Sequence, residues 1–366
     1  MENLTEMMLA LSMIPGVGRM VMRRARQLAE PIDFTSCTAL DIQHMLGVRE
    51  NIAEQIRRKY DLAAARKNRE EWERRGITVL VYGDEKYSEW LYEIPDAPEL
   101  LYADGNFDLL TRPAFSIVGT RTPTQYGRQL ARQFGRELAE RGLVVVSGMA
   151  RGIDAEAHTG ALEARGGTIA VLGCGIDWLY PAENRQLGAR IRKQGLLLSE
   201  YPPGTRPQRG FFPERNRIIS GLAHGILVIE AASRSGSLIT ADLATEQGRD
   251  VFAVPGSIHS PKSAGCHWLI QQGAKLVQHV HDIVFEYPEL ALDTHVGNAE
   301  VAGAPESLSS EEAALLRMIP WESVSYEQIL CRTEFSPSYL HFLLLSLQMK
   351  KQIMQLPGQA YIRVKP

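Results

Sequence analysis

Four arginines and two phenylalanines fall within twelve residues, Arg206, Arg209, Phe211, Phe212, Arg215 and Arg217, interrupted by Pro207 and Pro213. Guanidinium groups pair with phosphates, and an exposed ring gives an unpaired base a face to stack on. This interleaving therefore suits a grip on a single nucleic-acid strand. The structural alternative puts a ring in the core and pairs the arginines with Glu200 and Glu214. One buried ring and one exposed ring would satisfy both.

Three further segments offer anion-binding chemistry. The apolar run Phe115 to Val118 enters Gly119-Thr120-Arg121, and a helical pattern starts near Gln125. A glycine-bearing turn before a helix presents free N–H groups to an anion, and Arg121 adds positive potential. The turn has neither a G-x-G-x-x-G fingerprint nor a Walker lysine, so it specifies neither a dinucleotide nor a nucleoside triphosphate. Ser147-Gly148-Met149-Ala150-Arg151-Gly152-Ile153-Asp154 and Glu230-Ala231-Ala232-Ser233-Arg234-Ser235-Gly236-Ser237 follow other apolar runs in the same manner. Several such turns along one edge make a groove for consecutive phosphates, whereas a mononucleotide needs one. Asp154 and His158, four residues apart, could touch as a dyad, but no nucleophile is spaced against them. The favoured reading is structural, with Asp154 capping a helix and His158 buried and hydrogen-bonded.

The elements that must position these groups follow from periodicity. From about 76 to 287, uniformly apolar runs at Phe115 to Val118, Val144 to Ser147, Thr168 to Leu172, Leu196 to Ser199, Ile226 to Glu230 and Val251 to Val254 alternate with helical stretches such as Gln125 to Arg141 and Leu238 to Gln247. Strands apolar on both faces, joined by crossover helices, predict an α/β core: a Rossmann-like, doubly wound, largely parallel sheet with its ligand site at the carboxyl edge. Thr78 to Val81 and Leu100 to Tyr102 extend that sheet. Residues 1–75 read as a small helical domain. Its Ile14-Pro15-Gly16-Val17-Gly18 turn, followed by Arg19, Arg23 and Arg24, fits either a helix-hairpin-helix (SAM-like) phosphate site or a plain structural turn. Residues 288–307 lack periodicity and read as a linker. Residues 308–366 read as three helices and a hairpin, a winged helix.

Composition narrows the classes. A 366-residue chain with 45% hydrophobic content buries a sizeable core, and its net charge of −3 requires any nucleic-acid site to be local. Apolar runs are strand-length, well short of the ~20 residues that span a bilayer, so no membrane partner is expected. Glu2 and Glu6 stand where an export signal carries basic residues. Cys37, Cys174, Cys266 and Cys331 are scattered, without metal-ligand spacing, and read as free thiols in a reducing cytoplasm. No metal and no cofactor are expected.

Val118-Gly119-Thr120-Arg121, Ser147 to Asp154 with His158, Phe212-Pro213-Glu214-Arg215-Asn216-Arg217-Ile218-Ile219-Ser220-Gly221-Leu222, Ser235-Gly236-Ser237, Glu246-Gln247-Gly248-Arg249 and Val254-Pro255-Gly256 together resemble the DNA-processing protein A (DprA/Smf) family. The resemblance is dense over residues 76–287 and holds only in outline for the terminal domains. It implies a non-enzymatic protein that binds single-stranded DNA without sequence specificity, works as a homodimer and loads the RecA recombinase in natural transformation and recombination. By motif position, Arg121 clamps a phosphate and Phe212 stacks on a base, with Arg209 and Arg215 nearby. Gly119, Thr120, Ser147, Gly148, Arg151, Asn216, Arg217, Ser235 and Gly236 complete the expected contact set. Thr120 stands where the family often has serine, and both supply a hydroxyl.

The rival from another class is a Rossmann-like nucleotide N-glycosidase of the phosphoribohydrolase type. Such an enzyme carries Pro-Gly-Gly-x-Gly-Thr-x-x-Glu, which the turn Glu230 to Ser237 lacks. For the dimer, Cys266-His267-Trp268-Leu269-Ile270 crowds large side chains on one short helix, so the surface of His267, Trp268 and Ile270 is the expected interface. The winged helix is not expected to be the main DNA reader. Its six bases (Arg317, Arg332, Lys350, Lys351, Arg363, Lys365) face five acids (Glu311, Glu312, Glu322, Glu327, Glu334), and its presumed recognition helix carries Tyr339, Leu340, Phe342, Leu343, Leu344, Leu345 and Leu347.

Overall fold

The β-branched and leucine-rich runs form one sheet of nine strands: β1 (Thr78–Val81), β2 (Leu100–Gly105), β3 (Ala114–Gly119), β4 (Val144–Ser147), β5 (Thr168–Leu172), β6 (Leu196–Ser199), β7 (Gly225–Ile229), β8 (Asp250–Ala253) and β9 (Lys275–Leu276). The structure is a computed structural model that describes residues 2–28, 30–164, 166–290, 309–320, 323–333, 335–350, 352–356 and 360–363. The strand order is β1-β2-β6-β5-β4-β3-β7-β8-β9. Pairing is parallel from β6 through β9, while β1 and β2 extend the edge antiparallel. Both side strands join the sheet as the sequence predicts.

This order places the site. From β3 the chain steps outward through β4, β5 and β6, then returns to the other side of β3 to lay down β7. Connections leaving β3 and β7 therefore diverge to opposite sides, opening a crevice at their carboxyl ends, where open α/β sheets bind ligands. Two non-glycine residues with left-handed backbone lie at this edge: Met149 (φ 53°) just beyond β4 and Glu230 (φ 50°) directly after β7. Each costs of order 1–3 kcal/mol, a cost that persists where surrounding structure imposes it and that clusters at functional sites.

Residues 1–75 are helical as expected: Glu2–Ser12, Arg19–Arg26, Ala39–Leu46, Glu50–Lys59 and Leu62–Arg74. They do not, however, build a core of their own. Met7, Leu11, Phe34, Ile42, Ile56 and Trp72 share one apolar cluster with Val79, Val81, Tyr102, Ala170, Leu172 and Leu197 of the sheet, and Trp72 meets Tyr102 edge-on at 5.4 Å. A few short helices expose too much apolar surface to close on themselves, so the boundary at 75/76 separates elements of one compact unit instead of two domains. The basic residues after the Gly16–Gly18 turn are also spent internally. Arg19 pairs with Asp96, Arg23 donates to the Pro95 carbonyl at 3.0 Å, and Arg24 donates to the Leu46 and Gly47 carbonyls at 2.9 Å. The plain structural turn is the reading these bonds favour.

The C-terminal unit, taken by itself, has helices Ser310–Met318, Tyr326–Arg332 and Pro337–Met349 and the expected hairpin Ile353–Leu356 with Ala360–Arg363. A short third strand, Val324–Ser325, pairs with the second hairpin strand, an addition to the expected three helices and hairpin. Two residues carry no alternation to read. Leu340, Leu343, Leu344 and Leu347 point into the small core with Leu315, Ile329, Ile353 and Tyr361. The leucine-rich helix thus packs along one face, while Tyr339, Phe342 and Leu345 are exposed. The linker expected at 288–307 lies, from 291 onward, outside the described residues.

Candidate nucleic-acid interface

Helix Phe211–Gly221 brings the arginine-aromatic segment over the carboxyl ends of the strands. Pro213 falls in its first turn, where the missing N–H costs no intrahelical bond. The rest of the helix is tied down onto the sheet by buried Ile218 and Ile219, and Ser116 Oγ donates to the Ile219 carbonyl at 2.7 Å. Its two leading rings then diverge. Phe211 stacks on Tyr201 at 4.1 Å and 22°, while Phe212 lies 5.6 Å from Tyr180 and lines a cavity of about 610 Å³. Both rings are half-buried, and Phe212 is the one on the cavity wall.

That cavity fills the crevice between the ends of β3 and β7. Its wall includes Gly119, Arg121, Tyr180, Arg209, Phe212, Arg215, Asn216 and the helix start Ser235-Gly236-Ser237. Arg121 is exposed and lies over the Phe212 ring, 5.8 Å from its centroid. Among the described residues, neither Arg121 nor Arg209 has a carboxylate partner within 4 Å, so both guanidiniums are available to phosphate. The helix Gly236–Glu246 opens onto the cavity. Ser235 caps it by accepting from the Ser237 N–H at 3.4 Å, and its first-turn amides and dipole favour an anion. Gly119 is required by close approach, since a Cβ there would fall 2.0 Å from the Ile229 carbonyl oxygen of β7.

Other members of the expected contact set serve the frame beneath the cavity. Ser147 is fully buried, and its hydroxyl donates to the Ile117 carbonyl at 2.6 Å, so it cannot reach a ligand. Gly148 is buried because Arg215 passes directly over it; a Cβ would fall 2.6 Å from a guanidinium nitrogen. Arg217 is buried in an ion-pair network with Glu200 at 2.7 Å and Asp96 at 3.2 Å, the structural alternative raised from sequence. Arg151 is exposed but paired with Glu183 at 2.7 Å and stands off the cavity wall. Thr120 is half-buried; its N–H donates to the Glu230 carbonyl at 2.8 Å, tying the β3 and β7 turns together.

Arg215 is the central frame residue. It is 4% exposed, donating to the Gly148 carbonyl at 2.8 Å and also to the Val171 carbonyl of β5. Burial pushes its pKa down to about 10, which still leaves it protonated at neutral pH. Burial pushes the Asp154 carboxyl up, opposed by the Arg215 charge and by the N–H groups of Gly148 and Ala150, which it accepts at 3.2 and 3.3 Å. Asp154 therefore pins the strained loop; it does not cap the helix, whose N-cap is Gly152. His158 is buried and accepts from the Met149 N–H through Nε2 at 3.3 Å. Its Nδ1 lies 2.7 Å from Thr168 Oγ1, whose proton is committed to the Val145 carbonyl at 2.6 Å, so the ring is the neutral Nδ1–H tautomer.

The buried ring makes a testable link to stability. Burial, reinforced by the Arg215 charge, lowers the His158 pKa from 6.5 to about 3. The unfolded chain gains a proton near pH 6.5 that the folded chain refuses until about pH 3. The contribution is complete above about 6.5 and is lost as the pH falls through this window, by up to about 1.4 kcal/mol per pH unit. Urea unfolding of the wild type and His158→Gln at pH 7.5, 6 and 5 should show the variant less stable at pH 7.5 but with a shallower fall. Parallel curves would mean the ring takes up its proton in the folded state.

Sequence reasoning missed Tyr180, Ile239 and Thr240 on the cavity wall, and named Ser237 only within its turn and motif. Ser237 adjoins the expected Ser235-Gly236 pair. Tyr180 had a usable signal, an aromatic residue in a turn at the same carboxyl edge, after β5. Ile239 and Thr240 had none, being ordinary residues of a crossover helix.

The model for DNA recombination-mediator protein A matches residues 78–288, and that for the DprA winged helix domain matches residues 299–359. Protein Smf of Synechocystis is 34% identical over 97% of this chain and 98% of its own length. The DNA processing protein DprA of Bacillus subtilis is 47% identical over 58% of this chain and 72% of its own. Among solved structures, the Streptococcus pneumoniae DprA superposes with a TM-score of 0.67 at 38% identity, covering 78% of this chain and 96% of that one. DNA processing protein A of Helicobacter pylori, studied for its mode of single-stranded DNA binding, gives 0.53 at 32% identity over 58% and 95%. Matched by the recombination-mediator model over its sheet domain and by a relative along nearly its whole length, the chain belongs to the DNA-processing protein A (DprA/Smf) family.

Proposed function

We propose that the chain binds single-stranded DNA, with little regard to sequence, in the crevice between β3 and β7, and passes that strand to a RecA recombinase during DNA uptake and recombination in the cytoplasm. The observation that carries the binding step is the Arg121–Phe212 pair: an unpaired guanidinium over a half-buried ring, both facing a cavity whose far side is a helix start. A phosphate, a stacked base and a following phosphate are the ligand elements such a surface complements. No base-edge reader is part of the proposal, hence the lack of sequence preference. The hand-over to a recombinase rests on the family, whose model is described as a recombination mediator. The proposal contains no catalytic step, since Asp154 and His158 are committed to the loop beneath the cavity. Among the described residues, no helix is long and apolar enough to cross a membrane.

The direct test is a salt-titrated comparison of an oligo(dT) strand with a blunt duplex. The strand should bind more tightly at moderate salt, and its affinity should fall as salt rises. Equal or tighter duplex binding would overturn the assignment.

The proposal includes a homodimer formed through the helix Ala264–Gln271. Cys266 and Leu269 anchor this helix, leaving Trp268 45% exposed and His267 and Ile270 partly exposed. His267 is partly committed, with Nε2 3.0 Å from the Gly256 carbonyl, so Trp268 and Ile270 carry the apolar patch. Sedimentation should show the wild type as a dimer and Ile270→Glu as a folded monomer; a folded, dimeric variant would rule this face out.

A further inference from the structure

We propose that Trp178 and Arg206 form a second nucleotide subsite, adjoining the crevice, that holds the strand after it leaves Phe212. This rests on the strand-binding reading above. Trp178 and Tyr180 lie in the turn after β5, on the carboxyl edge that carries the crevice, and are 39% and 47% exposed. Tyr180 belongs to the cavity wall and lies 5.6 Å from Phe212. Trp178 precedes it by two residues in the same exposed turn. The Arg206 guanidinium lies 5.8 Å from the Trp178 ring centroid, which repeats the Arg121–Phe212 pairing at the same distance. Among the described residues Arg206 has no carboxylate partner within 4 Å.

The backbone of the turn is tied down at Gly175 and Trp178. The Trp178 N–H donates to the Gly175 carbonyl at 2.9 Å, the Gly175 N–H donates to the Thr205 carbonyl at 2.8 Å, and Asp177 accepts from the Gly204 N–H at 2.8 Å. These bonds tie the backbone of the tryptophan turn to the loop that carries Arg206. The acid beside the ring, Asp177, is partly neutralised by Arg75 at 3.7 Å. Large rings cost little entropy when a base stacks on them, and a guanidinium beside the ring can meet the adjoining phosphate. A continuous strand is the occupant that fits, because Tyr180 and Arg209 are on the cavity wall while Trp178 shares the turn of Tyr180 and Arg206 lies three residues before Arg209 in the chain.

Strand length separates this subsite from the crevice. Full-length wild type, Trp178→Ala, Trp178→Phe and Arg206→Ala are titrated with oligo(dT) of about 4 and about 15 nucleotides, with tryptophan emission followed alongside. Trp178→Ala should bind the short strand as the wild type does and the long strand at least about fivefold more weakly. Trp178→Phe should restore long-strand affinity while losing most of the quenching, and Arg206→Ala should weaken the long strand and flatten its salt dependence. Unchanged affinity of Trp178→Ala for both strands, or equal loss for both, overturns the subsite. Failure of the wild type to bind either strand overturns the strand-binding reading itself.

Discussion

Arg215→Ala is expected to destabilise the protein by about 3–5 kcal/mol, the range seen when a buried, hydrogen-bonded charge is removed from its partners. Arg215 donates to the carbonyls of Gly148 and Val171, and its loss leaves both buried acceptors without those bonds at about 1–3 kcal/mol each. It also removes the positive charge that opposes burial at Asp154, so that carboxyl rises further and its hold on the Gly148 and Ala150 amides weakens. The loop from Gly148 to Gly152, strained at Met149, then loses two of its restraints together. Arg215→Met, which keeps most of the volume without the donors, separates packing from hydrogen bonding and should recover only a minor part of the loss. Urea midpoints measure both variants. If Arg215→Ala keeps wild-type stability and loses only DNA affinity, the side chain acts as a direct phosphate contact and the frame reading is wrong.

The sheet and its crevice were legible because their signals are local and repeated. Six apolar runs separated by crossover helices admit few topologies, and the carboxyl-edge rule then places Gly119, Ser147 and Ser235 near one another. The division of labour among the arginines was not legible. Arg209, Arg215 and Arg217 belong to one short segment of identical chemistry, yet Arg209 lines the cavity exposed, Arg215 is buried beneath it and Arg217 is spent on Glu200 and Asp96. The helix start decides among them, since Arg209 precedes helix Phe211–Gly221 while Arg215 and Arg217 lie within it, and a segment broken by Pro207 and Pro213 does not reveal that start. The same limit hid the N-terminal packing. The helices of residues 1–75 carry apolar faces, but nothing in their spacing says that the surface they cover is the sheet. Trp178 went unremarked because an isolated aromatic residue in a turn looks like any other until its neighbours are known.

Phe212→Ala and Arg121→Ala should both weaken strand binding, and they should do so with different dependence on salt. Phe212 supplies a ring face, so its truncation removes stacking worth about 1–3 kcal/mol, or roughly 5- to 150-fold in Kd, and releases no fewer counterions. A plot of log affinity against log salt should therefore shift down without a change in slope. Arg121 supplies charge to a phosphate, and losing one such contact on a single strand should reduce the slope by about 0.7. The two effects are not independent, because the guanidinium lies over the ring. Arg121→Ala also exposes more of the Phe212 face, and Phe212→Ala frees the guanidinium to move. The double variant should consequently lose less than the sum of the single losses, as expected for groups in contact. Neither single variant should unfold the chain, since Arg121 is exposed and Phe212 is only half-buried against Tyr180. Should Phe212→Ala lower the melting temperature and leave binding intact, the ring belongs to the core and the stacking role passes to Phe211, whose present partner is Tyr201.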